Sequence, residues 1–212
     1  ARGLPFQENP RTGDCRISGS CASLAGLEKA LNEETDREVD LAIRRILLLH
    51  GVILTIGGIP LIYLGDEIGT LNDYSFRNDR AKVKDSRWVH RPKADWTKYE
   101  RRYDPNTLEG RIYAGLQNLI ALRKNTPVFS GQEFQVLDTE NPQVFGYLRS
   151  FQGKRAIVFA NFSEQVQRLS GNLLRLYGLD FRFTELLSGT GFSTADFMLQ
   201  PYQLAVFIPG EN

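Results

Sequence analysis

The chain has 212 residues, 42% of them hydrophobic, enough for one large domain or two modest ones with a sizeable core. Its 26 lysines and arginines against 25 aspartates and glutamates give a formal net charge of +1, with no basic excess for nucleic acid and no acidic block for a disordered tail. The longest apolar stretch, Ile46 to Leu64, is divided by His50 and by the Gly57-Gly58 pair, so no membrane span is read in it.

Ala1 opens the chain without a methionine, a basic leader or a signal peptide, which suggests an internal beginning. Ala1 to Ser20 is rich in glycine, proline, asparagine and serine and reads as loop. Cys15 and Cys21 are close in sequence without the histidine spacing of a zinc site; free thiols are the simpler reading, and a small disulfide stays open. A short helix fits Ala22 to Leu31. Thr35-Asp36-Arg37-Glu38 then has the form of a capping box, in which hydroxyl and carboxylate satisfy the orphan amides of a helix start. The helix it opens carries Val39, Ile43, Ile46, Leu47, Val52 and Ile53 or Leu54 as its apolar stripe, and Gly57 ends it.

Gly57 to Gly69, GGIPLIYLGDEIG, reads next as a buried strand. Ile59, Leu61, Ile62, Tyr63 and Leu64 show no clean alternation, which suits a strand covered on both faces in a parallel sheet. Its polar exit holds Asp66 and Glu67. Adjacent residues on an extended strand point to opposite faces, so these two carboxylates are not expected to flank one glycosidic bond. Thr70 to Tyr103 is too long for a plain connector and is dense with Arg77, Arg80, Arg87, Arg91, Trp88, Trp96 and His90. A second helix is expected from Asp104-Pro105, with Leu108, Ile112, Leu116, Leu119, Ile120 and Leu122 on one side, stopped by Asn125 and Pro127.

Beyond Pro127 the period shortens to alternating runs at Glu133–Leu137, Val144–Phe151, Arg155–Phe162, Gln165–Leu169, Phe181–Leu186 and Gln203–Ile208, separated by turn signals. This spacing describes an antiparallel β-sandwich of roughly six to eight strands. The expected boundary lies near Thr126, dividing residues 1–126 from 127–212. One parallel strand between two helices leaves its ladder unpaired, so the first part should need further barrel strands.

Among candidate site residues, Asp85-Ser86-Arg87-Trp88 places an arginine beside an aromatic in a long loop. Such an arginine can donate to sugar hydroxyls or pair with a carboxylate while the indole packs beneath it. Gln7, Asn9, Asp14 and Arg16 supply amide, carboxylate and guanidinium groups of the kind that read sugar hydroxyls. His50 and His90 read as scaffold, and the sequon at Asn161-Phe162-Ser163 as incidental to a strand. No glycine-rich phosphate loop, HExxH or GxSxG occurs, so no cofactor and no metal is expected.

IPLIYLGDEIG resembles the eighth barrel strand of the α-amylase superfamily, with its Pro-x-Ile-Tyr-x-Gly-x-Glu-x-Gly pattern. NPRTGDCRISGSCASLAGLE, GDEIGTLNDYSF, DSRWVHRP and LQPYQ, in that order, are similar to amylosucrases and their sucrose hydrolase relatives over essentially the whole chain. The resemblance implies the C-terminal end of a (β/α)8 TIM barrel followed by an antiparallel β-sandwich. It implies a retaining enzyme that passes glucosyl from sucrose to an α-1,4-glucan, or to water in a hydrolase. It also implies a donor-pocket role for Arg87, paired with an upstream aspartate, and acceptor-subsite roles for Gln7, Asn9 and Arg16, with Asp14 nearby. None of the acidic residues here matches the family's nucleophile, general acid or His-Asp pair, so the partner expected is the N-terminal remainder of the same barrel. A noncatalytic carbohydrate-binding or assembly module is the alternative from another class. Neither nucleic acid nor membrane is expected as a partner, and cytoplasmic and secreted locations both stay open.

Overall fold

The computed structural model describes residues 2–179, 181–193 and 196–210; Ala1, read as the start of a loop, lies outside them. The chain divides into two compact units, Ala1–Ile46 with Ile62–Ala114, and Leu47–Leu61 with Gly115–Asn212. Two long helices cross from one unit to the other.

The first unit opens with a hairpin, β1 (Leu4–Phe6) against β2 (Arg16–Ser18), in the register Phe6↔Arg16. The expected short helix is two helices, α1 (Cys21–Leu24) and α2 (Leu27–Glu33), because Gly26 takes the left-handed conformation at φ 96° between them. α3 (Asp36–Thr55) follows, with the Thr35 carbonyl accepting from the amides of Glu38 and Val39. Asn72 ties the unit together: its Oδ1 accepts from the Ser20 amide at 2.8 Å, its amide donates to Ser23 Oγ at 2.9 Å, and its Nδ2 donates to the Arg2 carbonyl at 3.2 Å. Leu27, Leu41, Ile43, Ile68, Phe76, Val89 and Ile112 are buried in this unit. Gly69, at φ 64°, sits so close to Ile112 that an added Cβ would lie 2.5 Å from its Cδ1.

The strand expected over Gly57–Gly69 is not formed. Residues 59–63 belong to no helix or strand, and Asp66–Ile68 is a single 3₁₀ turn. Ile59, Leu61 and Leu64 are 98%, 78% and 74% exposed, the reverse of the burial expected. The apolar run has the composition of a sheet interior, but a strand exists only through a hydrogen-bonded neighbour, and among the described residues none lies alongside it. The long loop contains a helix that periodicity did not reveal, α4 (Trp96–Arg101), capped by Asp95 accepting from the Thr97 and Lys98 amides. α5 (Leu108–Asn125) begins later than Asp104: Thr107 Oγ1 accepts from the Gly110 amide at 3.0 Å and is the N-cap, while Asp104 accepts from the Asn106 amide in the preceding turn.

In the second unit β3 (Glu133–Leu137), β4 (Val144–Phe151), β5 (Lys154–Asn161), β6 (Gln167–Leu169), α6 (Asn172–Leu176), β7 (Arg182–Glu185), β8 (Gly191–Ser193), β9 (Phe197–Leu199) and β10 (Leu204–Pro209) form an antiparallel domain. A six-stranded sheet has the order β3-β4-β5-β10-β7-β8, and β6 with β9 makes a separate two-stranded ribbon. β5 and β10 are central, paired Ile157↔Phe207 and Val158↔Val206, and buried on both faces. On one face Ile157, Phe159 and Phe207 pack with Leu169, Leu174, Phe197 and Leu199 from the ribbon and α6. Burying each such aromatic contributes about 1.5–3 kcal/mol. On the other face Tyr147 shares a 2.6 Å hydrogen bond with Thr55 Oγ1 at the end of α3. There too the buried Arg149 donates from Nη1 to the Ile56 carbonyl at 2.6 Å and from Nη2 to the Gly131 carbonyl. Arg123 donates to the carbonyls of Leu54 and Gly58, so two guanidiniums cover the negative end of α3. Asn161 is fully buried; its Nδ2 donates to the Gln165 and Gln200 carbonyls at 2.8 and 3.0 Å, and its Oδ1 accepts from the Ser163 amide and hydroxyl.

Candidate functional site

The candidate site lies in the first unit, where the 3₁₀ turn Ser86–His90 rests against the β1–β2 hairpin. Asp85 caps this turn by accepting from the Arg87 amide at 3.0 Å. The same carboxylate takes a fork from the Arg87 side chain, Nε to Oδ1 at 2.9 Å and Nη2 to Oδ2 at 2.9 Å. An Asp-x-Arg spacing permits this because the turn folds residue 87 back over residue 85. The Arg87 guanidinium holds the Asp85 carboxyl below the ordinary carboxylate range, with the Arg87 amide adding to the effect, and Asp85 in turn raises Arg87.

The aromatic that the guanidinium covers is not the neighbouring indole. Arg87 lies 4.6 Å from the centroid of Phe6, whereas Trp88 is flanked by Lys82 at 4.8 Å and Arg91 at 5.5 Å. The two residues of a short turn point apart, and Ser86, donating from Oγ to the Pro5 carbonyl at 2.8 Å, docks the turn with residue 87 over β1. Arg87 Nη1 has no partner among the described residues, so its N–H donors are available to ligand oxygens.

The hairpin places the remaining sequence candidates. Phe6 stands opposite Arg16 in the ladder, which puts these two side chains on one face of the hairpin, and Gln7 follows Phe6 at the end of β1. Gln7 takes φ 53° as it leaves β1. Asn9 and Asp14 belong to the hairpin loop: the Asn9 amide donates to the Asp14 carbonyl at 2.7 Å, and Asn9 Oδ1 accepts from the Arg11 amide at 2.9 Å. Gln7, Asn9, Asp14 and Arg16 are all exposed. Asn9 Oδ1 thus supports the loop, while the Gln7 amide and the Arg16 guanidinium offer donors to solvent. Phe6 was missed in the sequence, because nothing in its neighbourhood announces a partner more than eighty positions away.

Glu67 has a structural assignment: its Oε2 accepts from the Gly65 amide at 2.7 Å, and it bonds Tyr99, whose phenol is raised by burial and then by the Glu67 charge. His90 stands edge-on to Tyr63 at 6.1 Å, with Nδ1 buried and unpartnered among the described residues. Burial, then the charge of Arg91, lowers its pKa against the pull of Asp85. Cys15 and Cys21 are both free thiols.

Residues 134–206 match the family model described as Maltogenic Amylase, C-terminal domain. The chain is similar to trehalose synthase of Thermus thermophilus, 27% identical over 204 residues and covering 80% of this chain and 21% of that protein. It is also similar to glucosylglycerate phosphorylase of Escherichia coli K12, 28% identical over 162 residues, covering 76% of this chain and 27% of that one. The chain therefore spans only about a fifth to a quarter of these relatives' length. Among solved structures, trehalulose synthase MutB of Pseudomonas mesoacidophila superposes with a TM-score of 0.59 at 21% identity, covering 78% of this chain and 38% of that one. AmyP in complex with maltose gives 0.65 at 15% identity over 85% of this chain and 37% of that one. The expected fold class is thus found in α-amylase-family enzymes, and the relatives matched are glycosyl-converting enzymes of that superfamily. Over residues 134–206 this chain is therefore similar to the C-terminal domain of maltogenic amylases.

Proposed function

We propose that the chain is the C-terminal part of an amylosucrase-like glucosyltransferase that takes glucose from sucrose and passes it to an α-1,4-glucan. The division of labour we infer is residues 1–126 completing a catalytic barrel and residues 127–212 forming a packing domain. The observation that carries this reading is the Arg87 fork, held by Asp85 over Phe6 with free donors directed away from its carboxylate. A guanidinium fixed in this way closes one side of a sugar pocket with little ordering cost on binding. Gln7 and Arg16 are assigned to acceptor hydroxyls, with Asn9 and Asp14 shaping their loop. Sucrose is supported as donor by a MutB variant solved in complex with the substrate sucrose. The nucleophile and general acid of a retaining mechanism would come from residues preceding this chain, and the exposed Ile59, Leu61 and Leu64 are where the missing strands would pack.

The test is Arg87→Ala in the enzyme that includes this chain together with the rest of its barrel. The expected result is a loss of kcat/KM for sucrose of at least tenfold, about 1.4 kcal/mol of transition-state stabilisation. Turnover within about twofold of the parent would overturn the assignment. Insoluble glucan as product separates the transferase from a sucrose hydrolase. The absence of matching catalytic carboxylates in this chain favours one further reading, a noncatalytic carbohydrate-binding module. That module would bind maltooligosaccharides while the barrel-completed protein left sucrose intact.

A further inference from the structure

Residues 77–93 hold seven lysines and arginines against two aspartates, although the whole chain is close to neutral. Both aspartates are engaged: Asp85 by Arg87, and Asp79 by the Ala81 amide and by Lys82 at 3.3 Å, which in that order hold the Asp79 carboxyl below its ordinary range. Arg77 and Lys84 have no ion pair among the described residues. The Arg77 guanidinium is braced instead against the ring of Tyr74, 5.1 Å from its centroid. Arg77 and Lys84 face one groove of about 620 Å³, the size of a small-molecule site. Its other walls include Phe6, Gln7, Phe76 and Ser86, and no carboxylate lines it. Phe6 and the exposed Val83 offer apolar surface for the C–H face of a sugar ring, and the Gln7 amide offers donors for its oxygens. The two cations match a phosphate, which carries more than one negative charge near neutral pH and accepts several hydrogen bonds.

We propose that this groove, beside the Arg87 fork, binds a hexose phosphate, with Arg77 and Lys84 on the phosphate and the sugar ring lying along Phe6. The sugar half of the inference rests on the carbohydrate reading above, and the phosphate half rests on the groove's charges alone. A diffuse basic surface would attract any anion weakly and lose it in salt. A shaped groove prefers the ligand that fills both of its halves.

The experiment is calorimetric titration of the full chain with glucose 1-phosphate, inorganic phosphate and glucose at near-physiological ionic strength. Saturable glucose 1-phosphate binding is expected, with inorganic phosphate and glucose each at least about tenfold weaker, or about 1.4 kcal/mol. Arg77→Gln combined with Lys84→Gln should weaken the phosphosugar by about tenfold or more; both side chains are exposed, so folding is checked by the unchanged far-ultraviolet spectrum. Arg80→Gln, in the same basic segment but outside the groove, should leave binding unchanged. Absence of saturable binding overturns the proposal, as does equal affinity for inorganic phosphate, equal loss in the Arg80 variant, or no loss in the double variant. Sucrose turnover by the barrel-completed enzyme is read separately. Phosphosugar binding can fail while Arg87-dependent turnover stands, and the reverse outcome fails only the earlier reading.

Discussion

Arg87 commits Nε and Nη2 to Asp85, and under the proposed function Nη1 meets the sugar, so its value in that reading lies in fixed direction more than in the stability of an exposed pair. His90, three residues on, has a different character. Its pKa lies below the ordinary 6.5, so the folded chain holds it neutral where the unfolded chain is already protonated. Stability should therefore fall as pH drops from about 6.5 toward the folded value, and rise again with pH across the same window. Urea titrations across that window should show this slope in the parent and a flatter one in His90→Gln; identical slopes would remove His90 from the account. The cysteines make a second contrast. Burial, with the nearby Asp66 charge adding, pushes the Cys21 thiol up to about 12, while Cys15 is exposed. Iodoacetamide at about pH 8 should alkylate Cys15 and spare Cys21, because the thiolate is the reacting form. Peptide mapping that finds Cys21 modified at a comparable rate would contradict the burial.

At the scale of elements, the end of α3 is the point where the second unit is most tightly specified. Arg149 reaches the carbonyls of Ile56 and Gly131 from β4, and Arg123 reaches those of Leu54 and Gly58 from α5. Arg149 is 1% exposed, so removing its head group strands two carbonyls away from water. Arg149→Met should cost about 3 kcal/mol in chemical denaturation, and a loss below about 1 kcal/mol would show that the carbonyls find other partners. None of this was legible in the sequence, where Arg149 is simply a charge in an alternating run. β3 and β4 were legible to the residue in their bounds, although burial along them does not alternate: only Leu137 of β3 is buried, and β4 is buried from Gly146 through Arg149. β8 and β9, three residues each, are too short to show a period. The run at Ile59–Leu64 misled for another reason: composition reports apolar content, whereas a strand also needs a hydrogen-bonded neighbour, and among the described residues this run has none. At the site, Arg87 and Asp85 were legible as near neighbours, whereas Phe6 depended on a hairpin docking across the fold.

At the scale of the molecule, two units hold separate cores while the stretch between α3 and the Asp66 turn leaves its apolar side chains in water. Amides of residues 59 and 61–64 should exchange with solvent within seconds in this chain, having no ladder, and become protected in an enzyme that includes the rest of the barrel. Mass-spectrometric exchange with equal rates in both would overturn the barrel reading. Within the second unit, Asn161 carries a consequence for how the chain can be made. Its amide is the knot that joins the end of β5 to the turns on either side, yet Asn161-Phe162-Ser163 is an acceptor sequence for N-linked sugar. Glycan transfer needs that amide in an accessible chain, and the folded sheet needs it enclosed. In a eukaryotic secretory host, modification and folding would compete for one nitrogen atom, and every molecule that gained a glycan there would lose the means to close its β domain.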